Sequence, residues 1–140
     1  MSRLAPFAIA LMFAMPAAGV HAQQPDQTGA GVQAAGRWLA LADAGQGAES
    51  WSAAGAMFQG AVSQKDWRAA LEAARAPFGA LTRRTLAGAT YTRTLPGAPD
   101  ADYVVLQYQS SFAARPAANE TVVVMREADG SWKTITYFIR

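Results

Sequence analysis

Cysteine is absent from the 140 residues and histidine occurs once, at His21. Without a thiol there is no thiolate nucleophile, no redox dithiol, no iron–sulfur ligation and no Cys-based zinc site. Charge is also sparse, at 16% of residues, with 12 Lys+Arg against 10 Asp+Glu. So small an excess, despite a pI near 9.3, points to no nucleic-acid partner and no strong attraction to anionic lipid. Long hydrophobic runs are missing too. The only apolar stretch, Leu4 to Met15 with Pro6 inside it, is about a dozen residues, short of the ~20 that a spanning helix needs.

That stretch has the marks of a secretory signal peptide. Arg3 supplies the positive start, and Ala17, Ala18, Val20 and Ala22 supply small residues before Gln23, with Val20-His21-Ala22 fitting cleavage after Ala22. Residues 1–22 are therefore expected to be an export address, and the mature protein to be periplasmic or secreted in a bacterium, with no stable membrane insertion. Cleavage would remove His21 and leave no histidine at all. Ser-His-Asp chemistry then lacks its base, and no SxxK or GxSxG motif replaces it. Nothing in the residues calls for a cofactor.

Gln23 to Gly31 is polar, carries Pro and Gly, and reads as a flexible tether before a single domain over 32–140. Val32, Ala35, Leu39 and Ala42 then recur at helical spacing until Gly45. Ala48 to Gly60 predicts a second helix through Trp51, Ala54 and Phe58. A third follows an N-cap at Ser63, with Trp67, Leu71, Ala74 and Phe78 on one face and Pro77 loosening its end. From Leu81 the period falls toward two. Strands are expected over Thr82–Leu95, with a bulge or bend at Gly88, over Tyr103–Phe112, over Thr121–Glu127 and over Trp132–Ile139. Turns at 95–100 and Asp129-Gly130 and a loop at 113–119 connect them. The fold class is α+β: three N-terminal helices packed on a four-stranded antiparallel meander.

The chain resembles a known family in several runs. These are Trp38-Leu39-Ala40-Leu41-Ala42-Asp43-Ala44-Gly45, Glu49-Ser50-Trp51, Arg75-Ala76-Pro77-Phe78-Gly79, the turn Leu95 to Asp100 with Tyr103 to Tyr108, and the ending from Asp129 through Ile139. They are similar to the small exported bacterial proteins grouped as domain of unknown function 4019. The resemblance implies an exported single-domain protein and carries over no cofactor or catalytic residue. The order of elements also looks similar to the nuclear-transport-factor-two-like and cystatin-like layouts, an analogy of arrangement alone.

Few side chains offer chemistry. Asp43, at the end of the first helix, with Tyr91 or Tyr108 on the sheet, would make the one acid–base pair available to a pocket enzyme. Asp100 and Asp102 are too few oxygens for a calcium site, so no metal is assigned. The four tryptophans, Trp38, Trp51, Trp67 and Trp132, fall on buried stripes or open a strand and read as core. Arg83, Arg84 and Arg93, with Arg75, form the one basic concentration and read as a charged strand edge. Gln107 and Gln109 interrupt an apolar strand and face away from the helices. The expected function is a non-enzymatic binding module for a small molecule or an envelope protein, with Gln107, Gln109, Tyr91 and Asp43 as candidate contacts. The alternatives are a pocket enzyme using Tyr and carboxylate, and a structural homo-oligomer joined through the outer sheet face.

Overall fold

A computed structural model describes residues 26–140, so the expected signal peptide and its cleavage site lie outside the described residues. The order is α1 (Gln27–Asp43), α2 (Gly47–Ser52), α3 (Ala56–Ala61), α4 (Gln64–Arg75), β1 (Leu81–Thr92), β2 (Tyr103–Phe112), β3 (Arg115–Arg126) and β4 (Trp132–Ile139). The strands form one open antiparallel sheet in the order β1-β2-β3-β4, so the chain is α+β with a meander sheet.

Helix α1 starts at Gln27, inside the stretch expected to be a tether. Asp26 caps it, its carboxylate accepting from the Gly29 amide at 3.0 Å. Two glycines at 29 and 31 weaken helix propensity by about 1 kcal/mol each. Packing outweighs that local preference: Gly31 is buried so close to β2 that a Cβ there would lie 2.7 Å from Val104. The helix ends in a Schellman motif, with Gly45 at φ 71° and the amides of Gly45 and Gln46 reaching the carbonyls of Ala42 and Leu41. The expected second helix is two, α2 and α3. The break falls at Gly55, whose amide donates to the Thr134 carbonyl of β4 at 2.8 Å. A side chain there would meet Glu127 at 2.6 Å and Ile135 at 3.0 Å, so the backbone must leave helical geometry to touch the sheet.

Ser63 caps α4 through the Asp66 amide at 3.1 Å, and α4 stops at Arg75, two residues before Pro77. The expected bulge is present, the β1–β2 register slipping between Leu86 and Gly88. The loop expected at 113–119 is instead a tight turn and the start of β3. Pro116 is tolerated there because that end of β3 pairs only with β2, within a register slip between Ser110 and Phe112.

α1 lies across all four strands. Its buried face, Ala35, Trp38, Leu39 and Ala42, packs on Val104, Leu106, Val122 and Val124. Each buried Leu or Val contributes about 1.5–3 kcal/mol. Of the four tryptophans expected in the core, Trp38 is buried there, Trp67 and Trp132 are half-buried against it, and Trp51 is half-buried outside the core clusters. The Trp38 and Trp67 indoles donate to the Ser50 carbonyl and hydroxyl at 2.9 Å each, and Trp51 donates to the Val62 carbonyl at 2.8 Å. The opposite sheet face is half covered: Tyr103, Val123 and Ile135 pack with Met57 of α3 and with Leu95 and Ala98 of the β1–β2 connection. Among the described residues no helix is long and apolar enough to cross a membrane.

Candidate functional site

Strand alternation turns Glu120 of β3 toward the helices, alongside Val122 and Val124. Its side chain is fully buried. Register places Tyr108 directly opposite it on β2, and Ser110 opposite Arg84 on β1. Arg75 enters from the last turn of α4 and Asp43 from the last residue of α1. Elements far apart in sequence thus bring two acids and two arginines together.

The geometry is dense. Glu120 Oε1 accepts from Arg84 Nε at 2.8 Å and from the Ser110 hydroxyl at 2.6 Å. Oε2 accepts from Arg84 Nη2 at 3.1 Å and from the Tyr137 hydroxyl at 2.5 Å. Those four bonds fill a carboxylate's lone-pair positions. Asp43 accepts from Arg84 Nη1 at 2.7 Å and Nη2 at 2.9 Å, and from Arg75 Nη2 at 2.7 Å. Arg75 also donates to the Tyr137 hydroxyl at 3.2 Å and lies over the Phe112 ring at 5.0 Å. Two anions balance two cations in a place where an unpaired charge would cost several kcal/mol.

Burial works to raise the Asp43 carboxyl pKa, but the hydrogen bonds and charges of Arg84 and Arg75 outweigh it and hold it below its ordinary value. Burial, the hydrogen bond to Glu120 and its negative charge push the Tyr137 hydroxyl up, well outside the range of a physiological proton donor. For Arg84, burial opposes the charged form, yet its carboxylate partners keep it protonated throughout.

Beside this network an open groove of about 530 Å³ runs between the end of α1, α4 and the start of β1. Asp43 and Arg75 stand in its wall, Ala76, Ala80 and Leu81 add apolar surface over the buried Leu71 and Ala42, and Arg68 and Glu72 stand along α4. Gly45, Gly47 and Gly79 also line it. At Gly45 a Cβ would meet nothing within 4 Å, so the missing side chain leaves open space.

The family model described as Protein of unknown function (DUF4019) matches residues 34–137. The chain belongs to this family. Comparison with curated proteins and with solved structures gives no match. The matched span of the DUF4019 domain holds every member of the network, from Asp43 to Tyr137.

The candidates named from the sequence fall in three places in this DUF4019 domain. Asp43 sits in the network, but its partners are arginines, and neither Tyr91 nor Tyr108 hydrogen-bonds to it. Tyr108 is buried beside Arg84, with its hydroxyl unpartnered among the described residues. Tyr91 lies at the far end of β1 and donates to Asp102 at 2.5 Å, which Arg93 also holds at 2.9 Å. Gln107 and Gln109 are exposed on the face away from the helices, as the alternation predicts. Arg84 is no solvated edge residue: its side chain is 14% exposed and turned inward. Sequence reasoning misses Glu120 and Tyr137. For Glu120 a signal exists, because it keeps the parity of Val122 and Val124 and so has to face the core. Tyr137 gives no such sign, since its role depends on meeting Glu120 across the sheet. Among the described residues no three His, Asp or Glu side chains stand together as a metal cluster.

Proposed function

We propose that this chain is an exported, non-enzymatic binding module that takes a small molecule in the groove between the end of α1, α4 and β1. The observation that carries this is the groove itself. At about 530 Å³ it lies within the ~300–1,000 Å³ usual for small-molecule sites, with apolar lining and a few fixed polar groups. The Asp43–Arg75–Arg84–Glu120 network behind it supplies rigidity, because each charge is held by at least two partners.

An enzyme working through Tyr and carboxylate is the competing reading. Its one buried pair would be Tyr137 and Glu120, and the Glu120 oxygens are filled by four donors, leaving no lone pair to take a substrate proton. A protein partner is favoured by a different observation. Phe138 is 62% exposed and pairs across the sheet with Thr121, which pairs with Gln107, making a row on the open face. The nuclear-transport-factor-two-like or cystatin-like layout belongs to this proposal, supported by the long helix α1 laid across one face of a bulged antiparallel sheet.

The test is amide chemical-shift mapping against a library of small organic fragments, with Ala76→Trp as a variant that fills the groove from an exposed helix-end position. Saturable shifts confined to residues 42–47 and 68–81, lost in the variant, are expected. Shifts confined to Gln107, Thr121 and Phe138 would transfer the site to the open sheet face.

A further inference from the structure

The hydrogen-bonding capacity left over along the groove is unequal, and the inequality selects a ligand. Glu120 has none to give. Asp43 accepts from Arg84 Nη1 and Nη2 and from Arg75 Nη2, close to its limit. Arg84 commits Nε, Nη1 and Nη2 to these two acids. Arg75 differs. Of the five N–H donors of a guanidinium, it gives one to Asp43 and one to the Tyr137 hydroxyl, and its approach to Glu120 at 3.8 Å is too long to be a hydrogen bond. Its side chain is only 12% exposed, yet it lines the groove. Two turns back along α4, Arg68 lines the same groove and makes no salt bridge among the described residues. Leu71 lies between them on the same helix face, by i, i+3 and i+7 spacing.

We infer that the groove binds an amphipathic carboxylate, with Arg75 as the anchor of its carboxyl group and the accessible surface of Ala76, Ala80 and Leu81 as the bed for its apolar body. This rests on the binding-module reading above and names the ligand class for that site. Arg75 suits the task because Asp43 and Tyr137 fix its plane from one side and the Phe112 ring lies beneath it, so little side-chain freedom is lost on binding. A planar fork presents paired donors at the spacing of carboxylate oxygens. A cationic ligand finds no equivalent, because the fixed acids of the wall are already saturated by arginine. Glu72 is the remaining acid of the lining, on the exposed side of α4.

The experiment uses the full mature chain and three chain-matched probes, sodium hexanoate, hexan-1-ol and hexylammonium chloride, followed by backbone amide and arginine Nε–Hε resonances. Hexanoate is expected to shift residues 42–47 and 68–81 together with the Arg75 Nε–Hε, and to bind at least about tenfold more tightly than hexanol or hexylammonium. Arg75→Lys, which keeps the charge and loses the fork, is expected to weaken hexanoate about tenfold while leaving hexanol unchanged. Should Arg75→Lys fail to fold, Arg68→Gln and Ala76→Trp on the exposed side of α4 carry the test. The first should weaken hexanoate alone and the second all binding. Equal binding of hexanoate and hexanol in the groove would overturn the carboxylate anchor while leaving the binding module standing, and tighter binding of hexylammonium would do the same. If no probe shifts the groove residues at about 10 mM, the groove site and its anchor fall together.

Discussion

Replacing Glu120 with Gln probes the network with the smallest change in shape. The side chain is fully buried and takes four hydrogen bonds, two from Arg84 and one each from Ser110 and Tyr137. An amide oxygen in the Oε1 position keeps the bonds from Arg84 Nε and Ser110. The amide nitrogen then faces Arg84 Nη2, a donor against a donor, while the Tyr137 hydroxyl can turn to accept. One charge-assisted bond is lost outright, another is weakened by loss of charge, and two arginines face Asp43 alone. Hydrogen bonds to charged groups contribute about 1.5–3 kcal/mol each, and breaking a buried pair costs about 3–5 kcal/mol. The expected loss is about 3 kcal/mol, a large share of the ~5–15 kcal/mol of a typical domain, lowering Tm by about 10 °C. Urea unfolding followed by circular dichroism measures it, with m unchanged if the fold is kept. In an Arg84→Met background the same substitution should cost about 2 kcal/mol less, because the cation it strands is already gone. A loss under about 1 kcal/mol, or strict additivity in the double variant, would refute the idea that Glu120 is the ionised centre of the network.

The pH dependence has two limbs. Asp43 titrates below its ordinary 3.8 when folded, so its stabilisation is present above that pH and is lost as acid carries the pH down through the folded value. Asp43→Asn should flatten this limb in acid-unfolding curves. Tyr137 titrates above its ordinary 10.0, so its contribution is complete below pH 10 and is lost as the pH rises beyond it. Tyr137→Phe should remove that alkaline limb. Two glycines of α1 predict opposite signs. Gly31→Ala drives a Cβ to 2.7 Å from Val104 and should destabilise by about 1–3 kcal/mol, whereas Gly36→Ala meets nothing within 4 Å and should stabilise by about 0.5–1 kcal/mol, both read by thermal unfolding. Finally, the intact mass of the protein from a bacterial periplasmic fraction should correspond to a chain beginning at Gln23, and a mass corresponding to a chain beginning at Met1 would overturn cleavage after Ala22.

Much of the architecture was legible because local rules dominate there. β2 and β4 keep clean boundaries, the glycine stop of α1 and the Ser63 cap of α4 follow side-chain chemistry, and the Gly88 bulge sits where a strand glycine predicts one. Misplaced boundaries share one cause, contact with a distant strand. Gly31 is helical because it lies on Val104, Gly55 breaks a helix because its amide reaches Thr134, and Pro116, which has no N–H to donate, enters β3 because no donor is needed from that position.

The sequence by itself determined that thiol chemistry is closed, through missing cysteine, and the α+β order, through the change of period at Leu81. It also marked Gln107 and Gln109 as outward, since strand alternation is local. Only the tertiary structure decided that Asp43, Arg75, Arg84, Glu120 and Tyr137 form one network beside one groove. Spacing could not show it: Arg84 and Glu120 are 36 residues apart and Arg75 and Tyr137 are 62 apart. Their meeting depends on strand register and on the packing of α4 against α2, from which the Arg75 side chain reaches the sheet. Charge pairing across such separations is a property of the closed fold.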